Sequence, residues 1–188
     1  MKTGETTISR ENSRYPAGLV RRLGADAPPE LTAIGNLNLL DLPKTALFCS
    51  ARCPGNVILP TYDQVAKWRD TERCVISGFH SPVEKECLQI LVRGDAPVIL
   101  CPARGMLERL PAQWAIAAAG GRLLLLSCFP PTARRVTAGL AARRNEFVAA
   151  LADEVFIAHA TADGRVAAMA DRVRGWGIPL TSPNPTIA

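Results

Sequence analysis

From Lys44 onward the chain alternates short apolar runs with longer amphipathic stretches. The runs cover residues 45–49, 74–77, 97–101, 122–127 and 155–158, with a weaker one at 178–180. They are apolar at consecutive rather than alternate positions, so each reads as a strand covered on both faces. Between them, residues 62–69, 82–93, 111–119, 138–152 and 165–174 read as helices. Strand–helix alternation of this kind predicts an α/β fold: a mostly parallel sheet with helices on both faces and right-handed crossovers. One unit is spelled out in full. Cys74-Val75-Ile76-Ser77 is the strand and Gly78-Phe79 the turn, while Ser81-Pro82-Val83-Glu84 is a capping box with proline at the first helical position. Val83, Cys87, Leu88 and Leu91 then share a face that would lie on the sheet, and Gly94 stops the helix after Arg93.

The ends are less regular. Residues 1–14 are polar and are expected to form a flexible tail. An amphipathic piece at 16–23, a proline-rich link at 27–29 and the segment 31–42 lead into the first strand. Residues 15–183 are expected to form a single domain, with 184–188 as a loose carboxyl-terminal tail. A length of 188 residues suits that arrangement.

Composition narrows the possible functions. No apolar run approaches the length of a membrane span, and the amino terminus lacks the apolar centre of a signal peptide, so a cytoplasmic location is expected. Six cysteines could mean disulfides or zinc. However, Cys49, Cys74, Cys101 and Cys128 sit in or beside apolar runs, no CxxC pair exists, and only two histidines are present. Buried free thiols are expected, with no metal and no cofactor. A net charge of +5, carried mostly by arginine, favours anionic partners without specifying one.

In an open parallel sheet, ligands bind beyond the carboxyl ends of the strands. Several groups suited to phosphate converge there: Ser50 and Arg52 after the first run, Ser77, Gly78, His80 and Ser81 after the second, and Arg104 and Gly105 after the third. Each has a plainer reading, since Gly78 would permit a tight turn and Ser81 would cap a helix. The free N–H groups at the start of the Ser81 helix would add positive potential. Arg144, followed by Asn145, falls on the apolar helix face of Leu140, Phe147, Val148 and Leu151. It either enters the crevice or extends over the sheet edge. No nucleophile–base pair, GxGxxG or Walker A loop is present, so no catalytic activity is expected.

Together these residues resemble the DNA-processing protein A (DprA/Smf) family from Tyr15 to about Pro183. The likeness rests on Tyr15-Pro16, Gly35-Asn36 with Leu39-Leu40, and Ala46-Leu47-Phe48-Cys49-Ser50-Ala51-Arg52, which is similar to the family's first strand and Gly-Ser-Arg loop. It continues with Ser77-Gly78, residues 97–105, and Arg144-Asn145 before Phe147-Val148-Ala149-Ala150-Leu151. The resemblance implies a Rossmann-like domain, often dimeric, that binds single-stranded DNA without catalysis and helps load a RecA-type recombinase during natural transformation. The chain departs from the family pattern at three places. The family's Gly-Leu-Ala-Arg-Gly-Ile-Asp segment is Gly78-Phe79-His80-Ser81-Pro82-Val83-Glu84, the last residue of Arg-Asn-Arg is Glu146, and the loop at 161–164 is short. The alternative is a nucleotide-binding sensor or phosphoribohydrolase of the related LOG-type branch, although its Pro-Gly-Gly-x-Gly-Thr loop is absent. A third reading is an interaction module that has lost ligand binding.

Overall fold

The computed structural model describes residues 4–106 and 112–183, except for the Gln113 side chain. An eight-stranded sheet runs through it. The strands are β1 (Glu5–Ser9), β2 (Glu30–Gly35), β3 (Lys44–Cys49), β4 (Cys74–Ser77), β5 (Val98–Leu100), β6 (Leu123–Ser127), β7 (Glu154–His159) and β8 (Leu180–Thr181). Their spatial order is β1-β2-β6-β5-β4-β3-β7-β8. The six strands from β6 across to β8 are mutually parallel, and β2 joins β6 antiparallel.

Six helices cover both faces: α1 (Ala17–Leu23), α2 (Gly55–Arg69), α3 (Pro82–Val92), α4 (Ala112–Ala119), α5 (Ala138–Leu151) and α6 (Arg165–Gly175). Side chains of α1, α5 and α6, among them Leu19, Phe147, Val148, Met169 and Val173, pack on one face with Phe48, Ile76 and Leu124. Side chains of α2, α3 and α4 pack on the other, where Val65, Trp68, Cys87, Leu91 and Ala117 meet Leu47, Val75 and Leu125. Right-handed crossovers explain this division. The chain steps from β3 out to β6 under one layer of helices and must return to β7 and β8 under the other. β3 therefore sits where the direction of winding reverses, the chain leaving β3 for one helix layer and β7 for the other.

Three expectations need correction. The segment expected to be a flexible tail contains β1, whose Ile8 is buried and pairs with Leu31 of β2. β1 is an edge strand with three of its five side chains exposed, so its sequence carries almost no apolar signal. α2 starts at Gly55 rather than Tyr62 and contains Pro60. Pro60 lies within the second turn, where the missing N–H costs one backbone bond, and the Thr61 hydroxyl donates to the Val57 carbonyl beside it. The last strand is Leu180–Thr181, not 178–180, because Ile178 turns into the core as the chain leaves α6. The tail expected at 184–188 and the helix start expected at residue 111 lie outside the described residues. Among the described residues, no helix is long and apolar enough to cross a membrane.

Candidate functional site at the carboxyl ends of the parallel strands

A crevice of about 400 Å³ opens beyond β4 and β5, between the start of α3 and the start of α5. Gly78, His80, Arg104 and Arg144 line it, with Phe79, Lys85, Trp114 and Val136. A larger cavity, about 870 Å³, lies at the opposite end of the sheet around Lys44, Arg73, Asp153 and Glu154. Its two cations are already committed, Lys44 to Asp153 at 3.4 Å and Arg73 to Glu154 at 2.8 Å. The smaller crevice keeps cations that are uncommitted among the described residues and is the better candidate.

Arg144 is the deepest of these cations. It is only 4% exposed although it carries charge. Its Nε donates to Asn145 Oδ1 at 2.8 Å and its Nη1 to the Cys101 carbonyl at 3.1 Å. Among the described residues Nη2 has no hydrogen-bond partner, and this nitrogen belongs to a side chain that lines the crevice. Burial lowers the guanidinium pKa, and the Glu84 carboxylate opposes that shift. The guanidinium lies against Gly78, where a Cβ would stand 1.3 Å from Nη1. Gly78 is therefore needed for space. The left-handed backbone of this turn falls on Phe79 instead, at φ 46°. Its N–H donates to Ser77 Oγ and its ring is buried, which holds the strained residue in place.

The free helix N-terminus expected at Ser81 is already occupied. Glu84 Oε2 accepts from the N–H groups of His80 (2.8 Å) and Ser81 (3.0 Å), and Ser81 Oγ accepts from Glu84 N–H. Glu84 Oε1 accepts from Cys49 N–H at the end of β3, at 2.9 Å. The chain's own carboxylate thus fills the position where an anion would bind, and the α3 terminus has no free donors at His80 and Ser81 to offer.

The remaining expected site residues divide into two groups. Ser77 is fully buried, and its hydroxyl donates to the Leu47 carbonyl. Ser50 accepts from Thr161 N–H and its own N–H donates to the His159 carbonyl, which ties together the loops after β3 and β7. Gly105 is buried against the loop before α5, where a Cβ would stand 2.6 Å from the Pro130 carbonyl. Ser50, Ser77, Ser81 and Gly105 therefore build the strand ends without lining the crevice, and Asn145 reaches it only through Arg144. In the second group, Arg52 is exposed and Arg104 half-buried, and neither side chain has a hydrogen bond or ion pair among the described residues. Arg134 and Arg135 are exposed in the loop ahead of α5, next in sequence to the crevice residue Val136, and Arg143 lies over the Phe129 ring at 5.9 Å. The unusual Glu146 pairs with Arg172 of α6 at 2.6 Å, so its charge reversal ties two helices together.

Sequence reasoning missed Trp114, whose buried Nε1–H has no partner among the described residues and which lines the crevice from α4. The apolar, alanine-rich surroundings of Trp114 read as ordinary core. Among the described residues, no group of three or more His, Cys, Asp or Glu side chains is placed to hold a metal ion.

Comparison with solved structures shows where this architecture recurs. DNA processing protein A from Streptococcus pneumoniae matches with a TM-score of 0.78 and 21% identity over 96% of this chain, which spans 63% of that protein. DNA processing protein A from Helicobacter pylori, described through its unique single-stranded DNA binding mode, matches with a TM-score of 0.76 and 20% identity, covering 97% of this chain and 82% of that one. These likenesses establish the Rossmann-like fold. No curated protein matches the chain. The model for DNA recombination-mediator protein A matches residues 6–170, from β1 into α6, and so takes in both the antiparallel edge and the crevice. A match over that much of the sequence places this chain in the DNA recombination-mediator protein A family.

Proposed function

We propose that this chain binds single-stranded DNA without catalysis, with the phosphates seated on the arginine rim at the carboxyl ends of the parallel strands. The observation that carries this reading is Arg144, a buried guanidinium beside the crevice with one nitrogen left without a partner among the described residues. A buried cation is costly unless its donors are used, and a phosphate oxygen would accept from Nη2. Among the described residues the side chains of Arg104, which lines the crevice, and of Arg52, Arg134 and Arg135, which are exposed on the loops after β3 and before α5, have no partner, and they would supply further contacts along a strand. Family membership and the single-stranded DNA binding described for the Helicobacter pylori protein support the same ligand.

The test is a titration of a labelled oligothymidylate at several salt concentrations. Each phosphate neutralised on a single strand contributes about −0.7 to the slope of log affinity against log salt. Engagement of three or four arginines predicts a slope of roughly −2 to −3. Absence of binding at low salt overturns the reading. The crevice volume, about 400 Å³, also suits a single nucleotide. Thermal stabilisation by a nucleoside monophosphate, or release of its base, in a protein that ignores DNA would favour the LOG-type alternative.

The protein partners that accompany this reading are a RecA-type recombinase and a second copy of the chain. Val20, Leu59, Ile116 and Val136 are large apolar side chains exposed on its surface and give such partners apolar contact points. A cytoplasmic setting fits the free cysteines.

A further inference from the structure

We propose that Glu84 is the positioning residue of the crevice: one buried carboxylate ties the turn after β4 to the end of β3 and fixes Arg144 above Gly78, presenting Nη2 to a ligand phosphate. The inference rests on the DNA-binding reading for its ligand but on its own geometry for the device. Glu84 is 6% exposed and accepts three backbone N–H groups, from Cys49, His80 and Ser81. A helix cap requires only the local pair. The bond to Cys49 crosses to a neighbouring strand and joins the two loops that bear Ser50 and Arg52 on one side and Gly78 and His80 on the other.

Arg144 completes the arrangement from α5. Its charge is favoured by Glu84, its Nη1 is held by the Cys101 carbonyl at the end of β5, and its guanidinium lies against Gly78, in the turn that the Glu84 bonds to His80 and Ser81 hold. Glu84 thus ties the ends of β3 and β4 together, and Arg144 from the middle of α5 joins the turn after β4 to the end of β5. Neither Glu84 nor the three N–H groups it binds need touch the ligand. The carboxylate acts through Arg144.

Glu84→Gln separates this role from simple charge. Removing a negative group beside a phosphate site should tighten DNA binding if Glu84 acts only through its field. If it positions Arg144, oligothymidylate affinity should fall about tenfold, the range for one charge-assisted hydrogen bond, and the salt slope should flatten by about 0.7. The same change made on Arg144→Ala should cost nothing further, because the group it positions is already gone. Affinity equal to or tighter than that of the unmodified chain in a folded Glu84→Gln variant overturns the proposal, as does an equal loss in both backgrounds.

Glu84→Asp keeps the charge, but its shorter arm cannot span both turns. It should show an intermediate loss, and full affinity in it also overturns the proposal. A readout without DNA keeps the device separate from the DNA-binding reading. The Arg144 Nε–H resonance should be protected from exchange in the unmodified protein and lose that protection in Glu84→Gln. Unchanged protection in the folded variant overturns the positioning role even if no oligonucleotide binds.

Discussion

At Gly78 the constraint is contact rather than conformation, because a side chain there would occupy the space of the Arg144 guanidinium. Gly78→Ala should therefore destabilise the protein by about 1–3 kcal/mol, the usual cost of overpacking, and should also weaken oligonucleotide binding as Arg144 is displaced. Urea unfolding beside a binding titration checks both, and an unchanged midpoint would show that the guanidinium moves aside freely. Arg144→Ala should reduce oligonucleotide affinity by about 1–3 kcal/mol, the scale of a hydrogen bond to a charged group, in an anisotropy titration. Full affinity in a folded variant would leave Arg144 a structural residue. That Arg144 lies on an apolar helix face is legible in the spacing of Leu140, Phe147 and Val148. Its acceptors are not, since the Cys101 carbonyl lies 43 residues away along the chain. The misreading of the α3 terminus has the same origin. The motif at Ser81 signals a capping box, but only the fold shows that the other Glu84 oxygen reaches the next strand.

Among the elements, β3 to β7 and the helices α3 and α5 could be read to within a residue or two, because strands buried on both faces and helices with capped starts leave strong local marks. β1 and β2 could not. Glu5–Ser9 is nearly all polar, and Glu30–Gly35 takes its meaning from pairing with β6, far along the chain. The first two turns of α2 were hidden by Gly55 and Pro60, residues that ordinarily end helices. Two outcomes follow for individual elements. Ser81→Ala should cost about 0.5–2 kcal/mol in urea unfolding, the range for a lost cap. Deleting residues 1–9 should do more than trim a tail, because it bares the β2 edge next to a buried apolar row. Size-exclusion chromatography should show self-association of the shortened protein, and a monomer profile identical to that of the full chain would show that β1 is dispensable.

Over the whole molecule, burial pushes most of the cysteine thiols upward: Cys74, Cys87 and Cys128 to about 12, with Cys49 and Cys101 also raised. A thiol pKa raised by folding means that the native state holds its proton while the unfolded chain releases it. The associated stability is complete below about pH 8.5, the ordinary thiol value, and drains away as pH rises above it. Denaturant midpoints in reductant should therefore fall between pH 8 and 11, and Cys74→Ala with Cys87→Ala should blunt the fall. A flat profile would mean that these thiols ionise in place. The sheet order also sets a timetable for synthesis. β2 emerges early, yet its inner neighbour β6 is made some ninety residues later, and β3 waits still longer for β7. At ribosomal rates of about 5–20 residues per second, β2 waits roughly 5–20 s with one side open. β1 covers its other side from the outset. The modest amino-terminal strand is thus placed to halve the sticky edge exposed before the sheet can close.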